Sequence, residues 1–257
     1  MNTDEIWSSA FRLPSEFDLQ AGQRLSSEDS RVRYLLQFTL YRLSSLSRYN
    51  LVSLRGQAVM SVLRIPDLSA VILAGGNSRR MGTDKALLVL QGRSLIGTIV
   101  DRVRMITDEI WISANDQFKY EFLGLPVIQD VYQGQGPLAG LHSGMRHTGR
   151  PLVLLLACDL PRVGEPLLRN LVANLGDSDA VIPRTADGRF HPLCGLYRKT
   201  CLPAIEKNLL SGVNKMTGIF DEGSLQVRLL GPEEGMFQTG DLCNLNSPED
   251  LENFGLF

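Results

Sequence analysis

The stretch Leu68-Ser-Ala-Val-Ile-Leu-Ala-Gly-Gly-Asn-Ser-Arg-Arg-Met-Gly-Thr-Asp-Lys85 decides how the chain is read. Its first seven residues are a short apolar run that stops at Gly75-Gly76, the pattern of a strand buried on both faces. A glycine-rich turn carrying Arg79, Arg80 and Lys85 follows. Glycines let a backbone turn tightly and aim its N–H groups at an anion, while Arg and Lys neutralise phosphate charge. A strand that ends in a polyphosphate cradle is therefore predicted. Neither common template describes it: G-x-G-x-x-G is absent, and against G-x-x-x-x-G-K-[ST] five residues separate Gly76 from Gly82, with Lys85 two places late.

Working outward, Ser94–Met105 reads as a helix with apolar positions Leu95, Ile96, Ile99, Val100 and Val103. Glu109–Ala114 and Pro126–Gln129 read as strands. Pro151–Ala157, the most apolar run in the chain, reads as a central strand stopping at Cys158-Asp159. Strands alternating with helices predict an α/β fold of three layers, a mostly parallel, Rossmann-like sheet with helices on both faces. Asp179–Arg184 and His191–Tyr197 flank Thr185-Ala-Asp-Gly188 and read as a hairpin or a turn between edge strands. Pro203–Leu210 reads as a helix, Leu225–Leu230 as a strand, and Ser247-Pro-Glu-Asp250 as a helix start.

The 257 residues suit one or two domains, and residues 1–66 differ in texture from the rest. All 8 basic residues of Met1–Pro66 are Arg, and Val32–Leu46 is the one helical pattern there. We expect this extension to be a poorly ordered tail or the product of a translation start placed too early, with the working domain at 67–257. A net charge of −2 gives no basic field for nucleic acid. With no apolar run long enough to cross a bilayer and no signal-peptide pattern, a cytoplasmic protein without membrane contact is expected. Cys158, Cys194, Cys201 and Cys243 lie too far apart for a zinc site, and buried reduced thiols are expected. The three histidines, His142 and His191 included, have no metal spacing.

In open α/β sheets ligands bind beyond the carboxyl ends of the strands. Asp159 follows the most apolar strand and faces the proposed triphosphate, where a hard cation needs an oxygen ligand; its other role is capping the segment before Pro161. Asp130 follows a short strand and reads equally as a turn former, as Gly136–Gly140 reads as a Gly-Pro turn. Asn244 and Asn246, two apart, present both amides on one side of an extended segment or serve the turn before Ser247.

Leu-Ala-Gly-Gly-x-Ser-x-Arg-Met-Gly-x-Asp-Lys resembles the signature of the nucleotidyltransferases related to molybdenum cofactor guanylyltransferase, the MobA type. Gln129-Asp130, Gly136-Pro-Leu-Ala-Gly140, Cys158-Asp159-Leu-Pro161, His191-Pro192 and Asn244-Leu-Asn-Ser-Pro-Glu-Asp250 agree in order and spacing. The resemblance runs from about Leu68 to the C-terminus. It implies that Leu73, Ala74, Gly75 and Gly76 form the GTP-binding turn, that Lys85 meets the phosphates, that Asp130 contacts the nucleotide and that Asp159 holds Mg²⁺. Lys85, Arg80 and Asp159 become the candidate catalytic residues, Gly136 and Pro137 supply backbone groups to the base, and Asn244 and Asn246 seat the acceptor. One departure stands out: the family's Asn near the end of the second strand aligns with Ser113, and Asn115 substitutes for it if that strand continues so far. The implied activity is Mg²⁺-dependent transfer of GMP from GTP to the molybdopterin cofactor, with molybdoenzymes or cofactor-handling proteins as partners. A cytidylyl- or sugar-phosphate nucleotidyltransferase and a non-catalytic nucleotide-binding protein are the alternatives.

Overall fold

A computed structural model of the chain describes residues 64–74, 84–220, 223–245 and 250. The helical pattern at 32–46, Gly75, Gly76, Arg80, Asn246 and the helix start at Ser247 lie outside the described residues.

The opening apolar run forms β1 (Leu68–Leu73). On one side β1 pairs in parallel with β4 (Glu109–Ser113), on the other with β6 (Leu152–Ala157), so that Leu73 lies level with both Ser113 and Ala157. Adding β5 (Val127–Ile128), β7 (Ala180–Pro183), β8 (Cys194–Arg198) and β9 (Val227–Leu230) gives a seven-stranded sheet of order β5-β4-β1-β6-β8-β7-β9. All its pairs are parallel except those made by β8.

Period-two alternation divides the strands between two cores. Ala70, Ile72, Leu154 and Leu156 pack on one face with Ile96, Ile99, Val100 and Val103 of α1 (Leu95–Arg104) and Leu167, Leu168 and Leu171 of α3 (Glu165–Ala173). Val71, Val153 and Leu155 pack on the other with Leu138, Leu141 and Met145 of α2 (Pro137–His147) and Ile205 and Leu209 of α4 (Leu202–Leu210). This is the three-layer, mostly parallel architecture the sequence predicts. α1 starts at Ser94, whose hydroxyl accepts from the Gly97 N–H at 3.2 Å, and ends with Arg102 and Arg104 at the negative end of its dipole.

Several expectations are corrected. β7 and β8 do pair antiparallel as a hairpin, but neither is an edge strand: β8 lies between β6 and β7 with Cys194–Tyr197 buried, and the edges are β5 and β9. Gly136–Gly140 is not a loop but the entry to α2, with Gly136 at φ +71° and Pro137 in the first turn. That helix escapes periodicity because every residue from Leu138 to Met145 is buried, including Gly140, His142, Ser143 and Gly144. A tight hairpin, β2 (Val89–Leu90) and β3 (Arg93–Ser94), turns through Gln91 and Gly92, both at positive φ. Cys194 and Cys201 are buried as expected, but Cys158 is only partly covered and Cys243 is exposed. Ile65 belongs to the core, and its N–H donates to the Ile106 carbonyl at 2.7 Å. Among the described residues no helix is long and apolar enough to cross a membrane.

The two glycines of α2 let it lie directly on β1. A Cβ on Gly144 would stand 2.2 Å from Cγ2 of Val71, and one on Gly140 would stand 2.5 Å from Cδ2 of Leu73. Gly144→Ala is expected to destabilise the fold by about 1–3 kcal/mol, the usual cost of overpacking, despite the better helix propensity of Ala. Chemical denaturation measures it, and adding Val71→Ala should restore part of the loss. An unchanged midpoint would contradict this close approach.

Candidate active site

The carboxyl ends of β1, β4 and β6 lie side by side at one end of the sheet's strands. There the Ala74 N–H donates to the Ser113 carbonyl at 2.9 Å and the Cys158 N–H to the Leu73 carbonyl at 3.2 Å. Leu73 and Ala74 thus sit where β1 delivers the chain toward Gly75. On the far side of that stretch Asp84 caps a 3-10 helix, Lys85–Leu87, with Oδ1 accepting from the Ala86 N–H at 3.1 Å. Lys85 is the first residue of that helix.

Asp159 lies two residues past β6. Its Oδ1 is buried without a hydrogen-bond partner among the described residues, and Oδ2 is 3.5 Å from Nδ2 of Asn244. The Leu245 N–H donates to the Asp159 carbonyl at 2.9 Å, which fastens the segment carrying Asn244 over the end of β6. Burial pushes the Asp159 carboxyl above the usual carboxylate range, and the Lys85 charge pulls it back down. Lys85, Asp159 and Asn244, read separately from the sequence, therefore share one neighbourhood.

A second cluster forms around Asp130, just past β5. Ser113 Oγ donates to Asp130 Oδ1 at 3.0 Å. Burial raises the Asp130 carboxyl, while the Ser113 hydrogen bond and the nearby His142 lower it. A Cβ on Gly140 would stand 2.8 Å from the same hydroxyl, so Ser113 fits against α2 as well. β4 stops at Ser113, so the strand does not reach Asn115, which is exposed and accepts through its carbonyl from Gln129 Nε2 at 3.0 Å. The condition on which Asn115 was to replace the family's Asn is not met. Gly136 and Pro137 open α2 and are exposed.

The histidines divide. His142 is buried between helices, its Nε2 3.2 Å from Glu206 Oε1 and its ring edge-on to Tyr132 at 5.0 Å. His191 lies between β7 and β8, where burial pushes its pKa down. Sequence reasoning missed Tyr120, Lys119 and the part played by Asp84. Lys119 Nζ is 2.5 Å from Asp84 Oδ2, and the Tyr120 hydroxyl lies 2.8 Å from that oxygen. Nothing local signals this, because Asp84 and Tyr120 are far apart in the chain.

A sequence model described as the MobA-like NTP transferase domain matches residues 70–225, more than half of the chain. The chain belongs to the MobA-like NTP transferase family. The match runs from β1 almost to β9 and takes in Lys85, Asp130 and Asp159. Among curated relatives of this family member, the "Probable molybdenum cofactor guanylyltransferase" of Carboxydothermus hydrogenoformans is 37% identical over 189 residues, covering 72% of this chain and 94% of that protein. The "Molybdenum cofactor guanylyltransferase" of Desulfosudis oleivorans is 30% identical over 190 residues, covering 72% and 93%. Among solved structures, "Molybdopterin-guanine dinucleotide biosynthesis protein A" of Archaeoglobus fulgidus superimposes with a TM-score of 0.62 at 25% identity, over 72% of this chain and 95% of that one. The 2-C-methyl-D-erythritol 4-phosphate cytidylyltransferase of Thermus thermophilus, at TM-score 0.55 and 16% identity, shares the fold. The family expected from the motifs and the nucleotidyltransferase fold both stand.

Proposed function

We propose that this MobA-like protein transfers GMP from GTP to the terminal phosphate of the molybdopterin cofactor and releases pyrophosphate. The printed names of its relatives support this acceptor and this nucleotide. The observation that carries the reading is the orphaned buried oxygen of Asp159 beside the Lys85 charge at the carboxyl ends of the strands.

In the reaction an oxygen of the acceptor phosphate attacks the α-phosphorus of GTP. A new P–O bond forms, the α–β bridging bond breaks, and the electron pair leaves with pyrophosphate. The acceptor oxygen is already ionised at neutral pH, so no strong general base is needed and catalysis rests on positioning and charge neutralisation. Lys85, with Arg80 and residues 73–76, neutralises the leaving pyrophosphate. Asp130, Gly136 and Pro137 line the nucleotide side, while Asn244 and Asn246 seat the acceptor.

Mg²⁺ fits the residues present. Among the described residues no cluster of three or more His, Cys, Asp or Glu could hold a metal by itself. A single carboxylate with one oxygen to spare is nonetheless what Mg²⁺ uses when substrate phosphates complete its octahedron. Asp159 would hold it, and the ion would supply charge stabilisation and templating at the phosphates. The reading takes the protein as cytoplasmic, with molybdoenzymes or cofactor-handling proteins receiving the product.

The domain from residue 67 onward carries the activity in this reading. A chain beginning at Met60 keeps Ile65 and every site residue named above, and it is expected to unfold cooperatively and retain full turnover. Aggregation or lost turnover would show that earlier residues cover core surface. The reading itself is tested by following pyrophosphate: release should require both GTP and the cofactor. Release with CTP in preference to GTP would assign the cytidylyl reaction instead, and nucleotide binding without release would leave a binding protein.

A further inference from the structure

Tyr120 stands in a 3-10 helix, Phe118–Leu123, and is only 2% exposed. Its hydroxyl lies 2.8 Å from the carbonyl of Ala74 and 2.8 Å from Oδ2 of Asp84. Ala74 is the last described residue before the glycine-rich stretch and Asp84 the first after it. One hydroxyl therefore joins the two chain ends between which that stretch runs. Asp84 is held from three directions: Oδ2 by Tyr120 and by Lys119 Nζ, and Oδ1 by the Ala86 N–H. The 3-10 helix that begins with Lys85 is in this way referred to the end of β1.

We propose that Tyr120 is a positioning residue for phosphate binding, fixing Lys85 relative to β1 by clasping Ala74 and Asp84 through a single hydroxyl. The inference rests on the nucleotidyl-transfer reading given above. Burial, followed by the Asp84 hydrogen bond and charge, raises the Tyr120 phenol well above its ordinary value, so it stays a proton donor at any working pH. Its one proton is shared between two acceptors, and both belong to the phosphate-binding segment. Without the hydroxyl, Asp84 keeps Lys119 and Ala86, so the 3-10 helix still forms. What is lost is its hydrogen-bonded tie to the end of β1, while Ala86 stays packed in the core that β1 shares. A misplacement of about 1 Å at a charge-stabilising group can cost up to about 10²-fold in rate.

Tyr120→Phe removes the hydroxyl alone. It is expected to lower kcat for dinucleotide formation by about ten- to 100-fold with a smaller change in KM for GTP. Calorimetric titration of the same variant should show pyrophosphate binding weakened about tenfold, because that ligand meets Lys85, with GMP binding unchanged. Asp84→Asn keeps the residue's size and is expected to give the same ordering, which covers the case in which Tyr120→Phe folds poorly. Equal weakening of GMP and pyrophosphate would mark a general packing role and overturn the proposal, as would unchanged values for both in either variant. A wild-type chain that forms no dinucleotide would count against the reaction, while the two titrations would still decide the clasp.

Discussion

Lys85→Ala and Asp159→Asn are each expected to lower turnover by about 10²–10³-fold, or more, while the protein stays folded. Both side chains are assigned to charge that develops at the phosphates, where interactions made in the transition state count in kcat. Neither is among the hydrophobic residues that make up the two cores. For Asp159 the sign of the stability change can be argued as well. Burial raises its carboxyl in the folded chain. The ionised form is therefore less favoured in the fold than in the unfolded chain, and above the unfolded pKa that charge works against stability. The neutral amide should leave stability at pH 7 unchanged or slightly higher even as activity collapses. Steady-state kinetics alongside thermal denaturation measure both. Activity lost only in proportion to unfolding, or turnover left intact, would remove these residues from the chemistry.

The second large effect concerns the base. GTP should be used at least about 10²-fold better than either ATP or CTP. Guanine presents the O6 acceptor beside the N1–H and N2–H₂ donors, and adenine reverses the first two of these. At the opening of α2 Pro137 has no N–H and the Ala139 N–H is taken by the Gly136 carbonyl at 3.1 Å, but the N–H groups of Gly136 and Leu138 precede the intrahelical ladder and suit an acceptor at the O6 position. Against adenine such groups remain unpaired, at about 1–3 kcal/mol for each buried mismatch. Cytosine reverses the pattern as well, with the N4–H₂ donor and the N3 and O2 acceptors, so it is rejected by the same mismatch. Competition among the three nucleotides in one reaction, read by product mass, gives the ratio. ATP turned over as well as GTP would show that the base is not read at this end of the sheet.

What could be seen in the sequence and what could not follows from how each signal is encoded. β1 and β6 were legible because strands covered on both faces must be continuously apolar, and Asp159 stood out as the acid that ends such a run. α1 was legible because it is covered on one side only, so Ile96, Ile99, Val100 and Val103 recur with helical period. α2 was hidden for the opposite reason: it is buried all along its centre, and Gly140 and Gly144 are chosen for closeness to β1 rather than for helix propensity. The interior place of β8 was illegible because strand order depends on pairings between distant segments. Tyr120 shows the same limit at the site, since no local pattern reveals that its hydroxyl reaches Ala74 and Asp84. Asp130 and Asp159 stood out as candidates because each follows an apolar run that marks a strand end, which is where this fold gathers its ligands, whereas the roles given to Lys85 and Asn244 came from the resemblance to the family.

The central claim is tested most directly by following the α-phosphate. With GTP labelled at that position, Mg²⁺ and the purified molybdopterin cofactor, the label should pass into a guanine dinucleotide of the cofactor, with one unlabelled pyrophosphate released for each labelled product. Label remaining in GTP, or appearing as GMP or GDP with the cofactor unchanged, would contradict it.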